Sequence, residues 1–227
     1  MKTNYHVLRE WFWTHVPEVL LNPPDGLDSM YLVGGAVRDS VMHSVPRDGD
    51  VVITRSSLPE AWRPFGHSNT FGGLKIPGPT MTWDVWPLAD TWAMRVGTVP
   101  PQPERFPETC VFNVDAGIVH VLTGQAWDEP MIQGLRDRRL DIVLTEDLLQ
   151  RNPTPYLNVA KAFWLQQRYG LRFSPRVDDY IAWVLSHAAE APTRIWHEAV
   201  RHGYLEGIRG AMFRRYGAFQ ETAVSPF

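Results

Sequence analysis

The sequence predicts an α+β fold in two parts: a small mixed β-sheet with flanking helices over residues 1–128, then a helical region over residues 129–227. Three observations predict it. Short β-branched and apolar runs, bounded by glycine, proline and asparagine, crowd the stretch up to about Leu122. From about Glu129 longer segments of helical period take over, separated by Asn152-Pro153, Gly170 and Pro192. The charge also changes sign along the chain, with 9 basic against 15 acidic residues before Gly134, net −6, and 13 against 10 from there on, net +3.

Residues 5–21 carry apolar side chains at mixed helical spacing and end at the breaker Asn22-Pro23-Pro24-Asp25-Gly26, which predicts a leading helix. Met30 to Val33 is a short strand, Gly34-Gly35 ends it, and Ala36 to His43 supplies a turn or two of helix. Asp50 to Thr54 is a second strand. Gly73 to Ile76 and Met81 to Trp86 flank Pro77-Gly78-Pro79-Thr80 and read as two sheet strands joined by a tight connection. Residues 87–107 hold five of the 19 prolines and no periodic segment, so a surface excursion is expected. Cys110 to Leu122 returns to β-type residues and, if extended, puts Asn113 and Asp115 on one face. Helices are expected over 131–150, 155–169, 175–189 and 192–206.

A chain of 227 residues, 44% of them apolar, can bury a sizeable core. The single cysteine, Cys110, excludes an intrachain disulfide framework and a cysteine-cluster zinc site. No run of 18 apolar residues occurs, and Arg9, Glu10, His15 and Glu18 interrupt the N-terminal apolar stretch, unlike a signal peptide. The default is therefore a soluble chain in the cytoplasm with no membrane partner. A net charge of −3 argues against a generally basic nucleic-acid binder, although the positive second part can face phosphates and the acids of the first can hold cations. His197 and His202 are five apart, which misses the spacing of a helical metal pair, and Ser40, Ser44 and Cys110 lack a visible base, so triad hydrolysis is not supported.

The informative stretch is residues 31–54, YLVGGAVRDSVMHSVPRDGDVVIT. Asp48 and Asp50 lie two apart at the mouth of a strand, where an extended backbone directs both carboxylates to one face. Like charges so placed call for a proton, a base or a cation, and oxygen donors suit magnesium. Read alone, Asp48-Gly49-Asp50 is more simply a polar turn before a strand. Gly34-Gly35 lets the backbone approach a ligand closely and the next helix turns N–H groups toward phosphate oxygens; the alternative is an ordinary strand-to-helix turn. No GxxxxGK[ST] follows, so this is not a Walker A loop. Arg38 and Asp39 either meet a triphosphate and brace the loop or form a helix-surface ion pair. In MTWDVWPL, Trp83 and Val85 face away from Asp84, which frees that acid either to point toward the first strand pair or to sit solvated on the sheet. Trp83, Trp86 and Trp92 are either a stacking platform for a base or RNA, or core.

Together these residues resemble the head-domain signature of the class II template-independent RNA nucleotidyltransferases, the family of bacterial poly(A) polymerases and tRNA CCA-adding enzymes. The matching positions are Leu32, Val33, Gly34, Gly35, Val37, Arg38, Asp39, Asp48, Asp50 and Thr54, and FGGLKI resembles the strand that precedes the family's third acid, here Asp84. The resemblance implies a nucleotidyltransferase head followed by a helical neck-like region. It implies two magnesium ions (Mg2+) held by Asp48, Asp50 and Asp84, and a nucleoside triphosphate contacted by Gly34, Gly35, Arg38 and Asp39, with Arg47 and Thr54 in support. The implied reaction moves a nucleoside monophosphate to an acceptor hydroxyl, most simply an RNA 3′ end such as that of tRNA, and releases pyrophosphate.

The chain departs from the family further on. PETCVFNVDAG, residues 107–117, stands where the family has RRD-F-x-x-N-A; Asn113 and Ala116 fit, with Asn113 implied as a nucleotide contact and Asp115 as support. Pro107, Glu108 and Thr109 replace the two arginines and the aspartate, so nucleotide contacts have moved, toward Arg105 for one, or turnover is weak, or the substrate differs. In residues 152–181 Tyr156 and Val159 stand in place of neck arginines, and Lys161 is the nearest remaining cation. Arg194 and Glu198 in TRIWHE resemble the family's ERxxxE element, with Lys161 and Arg194 implied beside the nucleotide and Glu198 in support; as i,i+4 neighbours they are equally a plain helix ion pair. No acid-arginine pair that templates a base is evident, and nothing resembles the body and tail helices that grip the tRNA elbow. A protein or small-molecule acceptor therefore stays open beside RNA. The rival readings are a non-catalytic nucleotide- or RNA-binding protein on the same fold and a Trp-rich partner-binding domain.

Overall fold

The leading helix stops at a proline. In the computed structural model α1 (His6–His15) buries Leu8 and Phe12 and ends where Val16 turns extended, φ −67° and ψ 139°, ahead of Pro17. A residue before proline is driven out of the helical region, so α2 (Glu18–Leu21) is a separate turn and the single helix expected over residues 5–21 is two pieces. The structure describes residues 5–21, 27–69, 72–205 and 210. It divides into two units, Met1–Gln133 and Gly134–Phe227.

The first unit is built on β1 (Met30–Val33), α3 (Gly35–Val41), β2 (Gly49–Ile53), β3 (His67–Ser68), β4 (Leu74–Pro77), β5 (Thr82–Pro87), α4 (Trp92–Arg95), β6 (Ile118–His120) and β7 (Ala126–Trp127). Its seven described strands form one mixed sheet in the order β3-β4-β5-β2-β1-β6-β7. β2 and β5 run parallel, and the other neighbours in this sheet are antiparallel. This is the α+β architecture that the sequence predicts. Residues 88–109 hold only short turns of helix, and Ala93, Met94, Val99 and Phe106 pin that excursion to the core.

The segment 110–122 is not one strand. Asn113–Asp115 is a 3-10 turn, and only Ile118–His120 pairs in the sheet. The Asn113 side chain explains the turn: its Oδ1 accepts the Val114 N–H at 2.9 Å, a local bond that competes with an extended ladder.

α5 (Glu129–Arg136) opens the helical region, but the helix expected over 131–150 breaks there. Arg138 takes a left-handed conformation, φ 48°, and β8 (Arg139–Leu140) pairs in parallel with β9 (Arg172–Phe173) before α6 (Glu146–Gln150) begins. Leu140, Ile142 and Leu144 are buried alternately, which is the period of an extended chain and not of a helix. α7 (Pro155–Tyr169) has the bounds its sequence predicts, with proline at the start and Gly170 left-handed, φ 62°, at the end. α8 (Pro175–Ser186) and α9 (Ala191–His202) are each shorter than expected, and the expected end at 206 lies outside the described residues. Val159, Phe163, Val177, Ile181 and Ile195 make the core of this unit. Among the described residues no helix is long and apolar enough to cross a membrane.

Candidate active site

Asp50 and Asp84 are Cα partners in the parallel pair β2–β5, so their carboxylates leave the same face of the sheet on adjacent strands. Gly49 and Trp83 are partners one step back and belong to the opposite face, where a β-carbon on Gly49 would run into the Trp83 ring. Trp83 is core: 0% exposed, packed on Trp11 and Phe12 with ring centroids 5.3 and 5.7 Å away, its indole N–H donated to the His15 carbonyl at 3.1 Å. The glycine between the two acids of the DGD motif is thus a packing requirement, and the same alternation turns Asp50 away from the core.

The Gly34 turn lies against Asp50. Gly34 adopts φ 64° and ψ −123°, a conformation open in practice only to glycine, and so folds β1 back into α3. Its N–H donates to the Gly117 carbonyl at 3.0 Å and its carbonyl accepts the Arg38 N–H at 3.1 Å. A β-carbon at this position would stand 3.9 Å from the Asp50 Oδ2, in ordinary van der Waals contact, so the turn passes directly beside that carboxylate.

Two side chains that the sequence reading missed surround Asp84. Lys75, its Cα partner on β4, places Nζ 3.2 Å from Oδ2. Asn69 donates from Nδ2 to Oδ1 at 3.3 Å and is itself held by Gly73, whose N–H reaches the Asn69 Oδ1 at 2.9 Å. Alternation was the available signal for Lys75, because Leu74 and Ile76 on either side are buried. Which acid it would meet depends on strand register, which the alternation does not carry.

Asp48 precedes β2 and pairs with its neighbour Arg47 at 3.3 Å. The structure therefore brings Asp50 and Asp84 together, while among the described residues no three His, Cys, Asp or Glu side chains gather closely enough to hold a metal ion. The donor chemistry of the set still fits a hard divalent cation, since all three candidates offer carboxylate oxygens at or beside the solvent edge.

Arg38 is 3% exposed, and in place of a helix-surface pair it forms a buried charge cluster. Its guanidinium donates to Asp39 at 2.9 Å and also to Asp115. The arginine thereby ties α3 to the Asn113–Asp115 turn. Asn113 is buried in that turn. Thr54 is exposed just after β2, its N–H bonded to the Ser29 carbonyl at 2.9 Å, and Arg105 pairs with Glu108 at 2.7 Å. Trp86, on the face opposite Trp83, donates to the Thr91 hydroxyl at 3.0 Å, so Trp83, Trp86 and Trp92 form no common platform.

In the second unit Lys161 is half-buried on α7. Arg194 and Glu198 do not pair with each other. Arg194 reaches back to Glu190 at 3.5 Å with its guanidinium 5.2 Å from the Tyr156 ring centre, and Glu198 reaches forward to His202 at 3.4 Å. The reason is directional: an acid four residues before a cation suits the helix dipole better than the reverse order.

No protein-family model matches the chain, and no curated protein matches its sequence. Solved structures match in fold. One is a tRNA nucleotidyltransferase complexed with a primer tRNA and an incoming ATP analogue, at TM-score 0.61 and 18% identity, covering 85% of this chain and 60% of the other. The fold is shared with tRNA nucleotidyltransferases. The Thermotoga maritima CCA-adding enzyme complexed with tRNA_CCA matches at TM-score 0.56 and 14% identity over 92% of this chain and 52% of its own. A CCA-adding enzyme with CTP matches at TM-score 0.54 and 14% identity over 82% of this chain and 49% of its own. The chain thus spans roughly half to three-fifths of the length of these structures.

Proposed function

We propose that this chain is a metal-dependent, template-independent nucleotidyltransferase of the cytoplasm, with the chemistry in residues 1–128 and a neck-like part in residues 129–227. The observation that carries the reading is the registry of Asp50 with Asp84 beside the Gly34 turn, on a fold shared with tRNA nucleotidyltransferases. The substrate is a nucleoside triphosphate and the acceptor an RNA 3′ hydroxyl, tRNA first among RNAs, because the similar structures hold tRNA, an ATP analogue or CTP. In the reaction the acceptor oxygen bonds the α-phosphorus as the bond to the β-phosphate oxygen breaks, and pyrophosphate leaves.

Asp48, Asp50 and Asp84 would hold magnesium, two ions in all. Bound there, the metal supplies charge neutralisation for the attacking hydroxyl and the departing pyrophosphate. The chain's own residues position the rest. The Gly34 turn runs beside Asp50, and the Arg38–Asp39–Asp115 cluster fixes α3, and with it the glycine turn, against the sheet. Arg47 and Lys75 balance the charge of Asp48 and Asp84.

Incubating the protein with each labelled nucleoside triphosphate, magnesium and a pool of short RNAs tests the reading. Labelled RNA and released pyrophosphate are expected, and both should vanish in Asp50→Asn. Label appearing on protein would move the acceptor; nucleotide binding without pyrophosphate would favour a second reading, a non-catalytic nucleotide- or RNA-binding protein. The engagement of Asp84 by Lys75 and Asn69, and of Asp48 by Arg47, is what favours that alternative.

A further inference from the structure

We propose that Lys75 is a built-in counter-ion that competes with the divalent cation for Asp84 and so sets how readily the acid pair takes up metal. This rests on Asp50 and Asp84 being metal ligands, and it concerns a residue outside that set.

The two oxygens of Asp84 are treated differently. Asn69, fixed by the Gly73 N–H, donates to Oδ1 at 3.3 Å and orients the carboxylate. Lys75 meets the other oxygen, Oδ2, at 3.2 Å. An ammonium at that distance occupies lone-pair space on Oδ2 that a cation coordinating there would need. Its attachment is suited to exchange: the Lys75 side chain is 55% exposed and that of Asp84 23%. An exposed ion pair contributes little net stability, so a divalent ion with a second carboxylate at hand can displace it. Lysine also suits such a role better than arginine, since its compact, strongly hydrated charge lacks the fork that locks a carboxylate in two bonds.

The strand pairing makes this placement specific. Lys75, Asp84 and Asp50 lie in one cross-strand row over β4, β5 and β2, with Lys75 registered to Asp84 and Asp84 to Asp50. The ammonium thus sits at the end of the row whose two acids are the metal candidates, and Asp84 is the acid it shares.

The test is direct Mn2+ binding to the full chain, read by electron paramagnetic resonance, for the unmodified protein, Lys75→Met, Asp84→Asn, the double variant and Asp50→Asn. Lys75→Met is expected to bind Mn2+ about fivefold tighter, equivalent to about 1 kcal/mol. That gain should be absent when Asp84 is already Asn. Unchanged or weaker binding in Lys75→Met overturns the proposal, and so does an equal gain in the Asp84→Asn background, which would mark a general field effect of the lost charge. Binding that Asp50→Asn abolishes but Lys75→Met leaves unchanged sinks the role of Lys75 alone. Binding indifferent to Asp50→Asn, or absent from every variant, sinks the acid pair as a metal site and this inference with it. Lys75→Gln, with an unmodified melting profile, guards against a folding defect.

Discussion

Asp50 and Asp84 stand side by side because β2 and β5 run parallel in a register that makes them Cα partners, with Gly49 and Trp83 locked together one step back on the other face. The packing of Trp83 on Gly49 fixes which residues of β5 can lie opposite the acid of β2. If this pair carries the chemistry, Asp50→Asn and Asp84→Asn should each lower nucleotidyl transfer by at least about a hundredfold, the scale expected when a metal's charge stabilisation is lost. Urea denaturation midpoints should stay close to the unmodified protein, since each amide removes like charge without changing volume. Transfer that persists in either variant would separate the pair from catalysis.

Gly49→Ala attacks the same register from the core side. The added methyl meets the ring of Trp83, which is fully buried and packed on Trp11 and Phe12. A loss of about 1–3 kcal/mol in unfolding free energy is expected, the usual cost of overpacking. A urea titration reads it. An unchanged midpoint would mean that the two strands can shift past each other, and the register argument for the acid pair would fall with it.

Arg38 distinguishes a structural role from a substrate contact. Removing its charge by Arg38→Met leaves Asp39 and Asp115 buried without their guanidinium, and breaking a buried pair from one side costs about 3–5 kcal/mol. The expected result is a large loss of stability in the absence of any nucleotide. A protein that keeps its denaturation midpoint and loses only nucleotide affinity would show the arginine to be a substrate contact instead.

The order of strand, glycine turn, helix and second strand was legible because each is announced locally, by Gly34-Gly35 and by the apolar runs at residues 30–33 and 50–54. α7 was legible to the residue because proline and glycine mark both of its ends. Arg38 was legible as a charged residue near the glycine turn, but its partner Asp115 is 77 positions away and becomes a neighbour only when the Asn113–Asp115 turn comes under α3. Lys75 was hidden for a related reason: alternation gives its face, and only strand register gives Asp84. The break after α5 was missed because Val143 fills the gap between Ile142 and Leu144 and blurs the alternation into an apolar run that strand and helix share, and the two-residue period decides only once β9 offers a partner.

Tyr180 on α8 should make the second unit's stability fall in alkali. Burial pushes its phenol up from the ordinary 10 to about 12, outweighing the Asn158 side chain, which donates to the phenol oxygen at 3.3 Å and favours the ionised form. Below pH 10 the phenol is protonated in folded and unfolded chains alike, so Tyr180 contributes no pH dependence there. Between pH 10 and about 12 the unfolded chain releases the proton and the folded chain keeps it, so stability falls as pH rises, and the loss is complete above the folded value. In Tyr180→Phe this component is missing. Urea denaturation at pH 9, 10 and 11 should therefore show the difference in stability between the unmodified chain and the variant to be flat up to about pH 10, then to shift against the unmodified chain at pH 11. Lysines and the other tyrosines titrate in both chains and cancel in that difference. A difference that stays flat through pH 11 would show that the phenol is not held in its protonated form by the packing around α8.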